Sequence, residues 1–158
     1  MINEGLKRGV AGLEEAIREN LIAWHALPFT SHTELMSEAL LDYGMSIAKK
    51  LDKRFGRKTI AAKMTDVPGH TRGLVAHLAN AGVEFLHIGV NEVAAMPPVP
   101  PAFCWKCGDS FVNVVYNQNG YGGDFVFGDY AVVFAHTNDN LGPQSDEGLK
   151  EVYRRCIQ

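Results

Sequence analysis

The sequence predicts an α/β fold: a mostly parallel sheet with alternating helices and an inserted β-hairpin. Three observations carry the prediction. Apolar runs of strand length alternate with longer stretches in which apolar residues recur at helical spacing. Glycines and capping residues fall at the joints between them. The composition, 46% hydrophobic and 21% charged over 158 residues, is that of one globular domain spanning residues 1–158, not of a disordered chain, a collagen or a coiled coil.

The elements follow in order. Over residues 10–20, Val10, Leu13, Ala16 and Ile17 repeat at helical spacing among charged residues, so an amphipathic helix is expected. Residues 21–27 form a short apolar run ended by Pro28, which suits a buried first strand. Ser31 and Glu34 have capping-box spacing and open a long helix from Leu35 to Phe55 that Gly56 closes. Residues 59–64 read as a second strand, 70–80 as a helix stopped at Gly82, and 84–90 as a third strand. Two successive βαβ units imply a parallel sheet. The Pro-rich stretch 96–101 is a surface loop, because its prolines remove ladder donors. Residues 103–107 and 110–116 flank Gly108-Asp109 as a hairpin. After a loop at 117–123, residues 130–135 are expected as a fourth core strand, and 146–156 as a final helix capped by Ser145 or Asp146.

Charge and cysteine usage exclude several classes. The formal charge is -3 and no basic run exceeds Lys-Lys, so the footprint of a phosphate-backbone binder is missing and nucleic acid is not an expected partner. No segment reaches the ~20 apolar residues of a membrane span, and the N-terminus has no secretory apolar core. Three cysteines are too few for a disulfide scaffold, in keeping with a cytoplasmic location. Cys104 and Cys107 form a C-x-x-C that reads as half a zinc knuckle, a redox-labile pair or two small apolar residues.

Ligands of parallel α/β sheets bind at the carboxyl ends of the strands, where loops and helix N-termini converge. The residues following the expected strands include His25, His32, His70, His87, Asn91 and His136, so five of the six histidines are expected at one edge of the sheet. Asp66, at a strand end with His70 four residues on, is the type of group that holds a divalent metal or attacks a sugar carbon. A helix N-cap is its structural alternative. A catalytic zinc needs three such protein ligands and an open position. His25 and His87, inside strands, also read as satisfied core histidines, and the aromatic side chains Trp24, Phe29, Phe103 and Tyr121 near the same ends suit the face of a sugar ring or simple local packing.

The strings W-H-A-L-P-F-T-S-H-T-E-L-M, R-F-G-R-K-T-I-A-A-K-M-T-D-V-P-G-H-T-R-G, F-L-H-I-G-V-N, P-P-V-P-P-A-F and A-H-T-N-D-N-L-G-P closely resemble a bacterial family carrying a domain of unknown function. That family is distantly similar to the N-terminal catalytic domain of family 38 glycoside hydrolases, the α-mannosidases. The resemblance implies part of a seven-stranded β/α barrel with a zinc ion, and retaining hydrolysis through two carboxylates. The family's D-x-F-G-H-S motif, whose Asp is metal ligand and nucleophile, is matched by Asp66-Val67-Pro68-Gly69-His70-Thr71. Its G-D-D-F motif supplies the acid. By position the counterpart is Asp139, while Gly123-Asp124-Phe125 matches the letters better and makes Asp124 the second choice. The H-x-D pair that opens the α-mannosidase site occurs nowhere in this sequence, which leaves Asp66 as the one matched metal ligand.

The expected function is therefore that of a metal-dependent, glycoside hydrolase-like domain acting on carbohydrate. Asp66 is its nucleophile and zinc ligand, Asp139 its acid, and His25, His32, His70, His87, Asn91, His136 and Asp124 its substrate-binding residues. Two other classes compete: a non-catalytic fragment or carbohydrate-binding or interaction module without a full metal site, and a metal-dependent polysaccharide deacetylase. A partial barrel exposes strand edges and apolar helix faces, so a homo-oligomer or a partner supplying the missing barrel segments is expected.

Overall fold

The structure is a computed structural model that describes residues 2–118, 120–127, 130–134 and 145–156. Helix α1 (Ile2–Arg18) begins earlier than the apolar repeat alone indicates. It ends in a Schellman closure: Asn20 takes a left-handed φ of 62°, Leu21 N–H donates to the Ala16 carbonyl at 2.9 Å, and Asn20 N–H donates to Ile17 at 3.1 Å.

Residues 21–27 are not a strand, although they lie where one would. Ala26 N–H donates to the Ala61 carbonyl at 2.9 Å and the Thr30 and Thr65 hydroxyls meet at 2.6 Å, the same sequence offset, so this segment flanks β1 (Ala61–Thr65) in parallel. The next donor of a parallel ladder would be residue 28, and Pro28 has no N–H, which is why pairing stops after one bond.

The long helix also starts later than the capping-box spacing predicts. Ser31 Oγ donates to the Phe29 carbonyl, and Glu34 sits in a 3-10 turn, Thr33–Leu35. Ser37 is the N-cap in its place, accepting from Leu40 N–H, and α2 (Glu38–Phe55) runs to Gly56, whose φ of 65° forms the C-cap. Asp52 on α2 accepts from the Trp24 indole at 2.9 Å, from Thr59 N–H at 2.8 Å and from the Thr59 hydroxyl at 2.7 Å. Burial pushes its carboxyl upward, but the Thr59 N–H and hydroxyl, the Trp24 indole and the Arg57 charge outweigh that and hold it below the usual carboxylate range. These contacts fix the turn from α2 into β1.

Helix α3 (Leu74–Asn80) follows β1 and leads to β2 (Phe85–Gly89), and β3 (Ala102–Cys107) and β4 (Ser110–Asn117) form the hairpin. Gly108 at the first turn position has a φ of 58°, as a two-residue hairpin turn requires. The four strands make one sheet in the order β1-β2-β4-β3, with β1-β2 and β2-β4 parallel and β3-β4 antiparallel. The hairpin is thus no detour: its second strand is the third member of the parallel set. The strand expected at 130–135 does not join that sheet. As β6 (Tyr130–Phe134) it pairs antiparallel with β5 (Gly123–Phe127) in a separate two-stranded ribbon, a local closure that costs less chain entropy than a crossover. The last helix, α4, spans Asp146–Cys156 and has the Ser145 hydroxyl accepting from Gly148 N–H.

One sheet face holds the core. Ala62 and Met64, Leu86 and Ile88, and Val112, Val114 and Tyr116 alternate toward Leu41 and Met45 of α2 and Leu74, Val75 and Leu78 of α3. The opposite face carries Lys63, His87 and Val115 in one row and Thr65, Gly89 and Asn117 in the row above it. On β3 the same alternation puts Phe103, Trp105 and Cys107 against the core and leaves Cys104 exposed, so the two cysteines point to opposite faces and are not half of a zinc knuckle.

Candidate functional site

The carboxyl ends of β1, β2 and β4 are woven together by backbone hydrogen bonds. Asp66 N–H donates to the Gly89 carbonyl at 3.0 Å, Val90 N–H to Asn117 at 3.3 Å, and Gly120 N–H back to Val90 at 2.9 Å. Asp66 itself, one residue past β1, has a φ of 65°. A left-handed backbone at a residue other than glycine costs on the order of 1 kcal/mol and concentrates at functional positions. Its alternative role as a helix cap is ruled out, because α3 begins at Leu74 with Gly73 as N-cap.

The Asp66 carboxylate is exposed, and the Tyr121 hydroxyl donates to its Oδ1. Beside it stand the paired hydroxyls of Thr30 and Thr65. The loop that follows is fastened at two points: the Tyr116 hydroxyl donates to the Pro68 carbonyl at 2.8 Å, and Thr33 Oγ1 accepts from Thr71 N–H at 3.0 Å while lying 3.2 Å from His70 Nδ1. Burial lowers the His70 pKa to about 4, with the His32 charge adding to the effect and the Val67 carbonyl opposing it, so His70 is neutral at pH 7. A cleft of about 170 Å³ opens beside this loop and is lined by Pro68, His70, Ile88, Phe103, Trp105 and Tyr116 among others.

The remaining expected residues divide. Asn91 lies just past β2, and its buried Oδ1 has no hydrogen-bond partner among the described residues. His32 is exposed at the start of the 3-10 turn. His87 is 2% exposed, inside β2 one row below Gly89; burial lowers its pKa to about 4, with Lys63 contributing. His25 is half-buried against α2, sharing a cavity with Trp24, Ile47, Ala48 and Leu51 instead of lining the strand-end edge. Burial and then Lys63 lower its pKa as well. Lys63 has its own pKa lowered by burial, partly restored by the Asp66 charge. Asp124 belongs to β5, but its side chain lies outside the described residues, as do His136 and Asp139.

Sequence reasoning did not find the contact between Tyr121 and Asp66, nor the threonines at positions 30, 33 and 65. The signal for the first was present in Gly120-Tyr121-Gly122-Gly123, an aromatic residue set among glycines that let a loop approach a strand end closely. As for zinc, among the described residues no three His, Cys, Asp or Glu side chains come together to hold a metal ion, so these residues alone do not fit such a centre. No family model, no curated protein and no solved structure matches the chain.

Proposed function

We propose that the domain acts on carbohydrate as a retaining glycoside hydrolase, with Asp66 as the nucleophile. One observation carries the reading: an exposed carboxylate held at a strand end by a left-handed backbone and a tyrosine hydroxyl. It stands within a motif that resembles the α-mannosidase D-x-F-G-H-S. In this reading the carboxylate attacks the anomeric carbon, and Asp139, with Asp124 as second choice, gives the leaving oxygen its proton, chemistry that requires the two carboxyl groups to be about 5 Å apart. Neutral His70 and Asn91 flank the ring, and the Trp105 cleft takes an apolar face of the ligand.

The zinc that the resemblance implies would need Asp66 together with donors from beyond the described residues, and no step here is routed through it. The sheet corresponds in this reading to a central portion of a β/α barrel, completed by a second copy or a partner chain. The experiment that tests the function follows an aryl α-mannoside by proton NMR: release of the α-anomer first supports retention, and absence of any hydrolysis rejects the enzyme. A second reading, a carbohydrate-binding module without catalysis, is favoured by the aromatic wall of the cleft. It predicts binding of the same glycoside, unchanged in Asp66→Asn, with no turnover.

A further inference from the structure

We infer that Tyr121 is a positioning residue for Asp66 whose hydrogen bond accelerates the second half of the reaction, hydrolysis of the glycosyl ester. The inference rests on the reading of Asp66 as nucleophile. Tyr121 comes from the loop after β4, passes over the end of β2 and reaches the carboxylate at the end of β1. That loop is fastened on both sides: Gly120 N–H donates to the Val90 carbonyl at 2.9 Å, and the Asn117 side-chain amide donates to the Gly122 carbonyl. Gly89 lies directly beneath. A Cβ there would sit 3.0 Å from the Tyr121 Cα and 3.1 Å from the Gly120 oxygen, tighter than most packed contacts, so a side chain at this position would press the loop outward by a few tenths of an ångström.

With Oδ1 occupied by the phenol, Oδ2 is the oxygen that reacts. In the first step an Oδ2 lone pair forms the bond to the anomeric carbon. The bond from that carbon to the leaving oxygen breaks, and its electron pair departs with that oxygen; a 2,4-dinitrophenolate needs no proton to leave. The carboxylate loses charge as this happens, so the Tyr121 hydrogen bond is weaker in the transition state than in the free enzyme. The second step reverses the sign. Water oxygen bonds to the anomeric carbon, the second carboxylate takes the water's proton, and the C–Oδ2 pair returns to Asp66. Charge develops on Asp66, and a donor already aimed at Oδ1 stabilises it. Removing the hydroxyl therefore leaves the first step as fast as before or faster and slows the second roughly tenfold or more.

The test is stopped-flow release of dinitrophenolate from 2,4-dinitrophenyl α-mannoside by the full chain and by Tyr121→Phe, with mass spectrometry of the quenched protein. The expected result is a burst in Tyr121→Phe, a lowered kcat and KM together, and a glycosyl ester accumulating on the peptide that contains Asp66. Gly89→Ala, which presses on the same loop, should give a burst in the same direction and no larger, and the double variant should add nothing to that of Tyr121→Phe. A loss shared equally by both steps, or no change, would overturn the role of Tyr121 while leaving Asp66 as nucleophile. Absence of dinitrophenolate release by the unaltered chain would overturn both.

Discussion

Ala26 donates its backbone N–H to Ala61 at 2.9 Å, the one ladder bond that holds the segment before Pro28 to the edge of β1. Hydrogen exchange should read it directly. The Ala26 amide is expected to exchange far more slowly than that of Phe29, which is exposed and lies beyond the proline that ends the pairing. Equal exchange at the two positions would show that the segment does not dock.

Asp52 and His87 predict adjacent parts of a pH profile, both with stability lost as pH falls. Hydrogen bonds hold the Asp52 carboxyl below its ordinary pKa, so its contribution is present above the unfolded value of 3.8 and is lost as pH falls through the lower folded value. His87 works in a higher window. Its folded pKa of about 4 lies below the ordinary 6.5, so the unfolded chain binds more protons between these values and stability falls as pH drops from about 6.5 toward 4. The full effect of His87 is on the order of 3 kcal/mol, and His70 acts in the same direction. Denaturant titrations at pH 7 and pH 5 should show the loss, and His87→Leu should reduce it to the part that His70 contributes.

The fold was legible where local chemistry decides it. Gly56, the Gly108-Asp109 turn and the apolar runs of β1, β2 and β4 are expected from sequence and found. Failures occur where one signal competes with another a few residues away. Ser31 has capping-box spacing, but Ser37 caps the helix; residues 21–27 have a strand's composition, but Pro28 removes the donor a ladder needs. Residues 130–134 have the content of a core strand, and only the nearby apolar partner at 123–127 diverts them into a ribbon. Of the candidate site, the strand-end position of Asp66 was readable from the strand-length run that precedes it. The reach of Tyr121 was not, because it is a contact between residues 55 positions apart.

The placement of Cys104 and Cys107 on opposite faces of β3 has a chemical consequence. Cys104 should react readily with a thiol reagent under native conditions and Cys107 slowly, and mild oxidation should produce no bridge between them. A disulfide joining the two in the folded protein would contradict the strand assignment.

Core packing is concentrated under α3. Leu78 is completely buried among residues of the parallel strands, so Leu78→Ala should cost about 2 to 5 kcal/mol, a fall in Tm of several degrees. Asp66 predicts the reverse relation between stability and function. Asp66→Gly and Asp66→Ala both remove the carboxylate, but only glycine accepts a φ of 65° without strain, so the glycine variant should be the more stable by about 1 kcal/mol.

The most direct measurement of the central claim uses that same stable variant. Asp66→Gly is predicted to hydrolyse 2,4-dinitrophenyl α-mannoside at least about a thousandfold more slowly than the unaltered chain, and added azide should restore release of the phenolate while forming the β-glycosyl azide, the inverted product of attack in the vacated space. Equal hydrolysis by the two proteins, or azide without effect on a folded Asp66→Gly, would contradict the assignment of Asp66 as nucleophile.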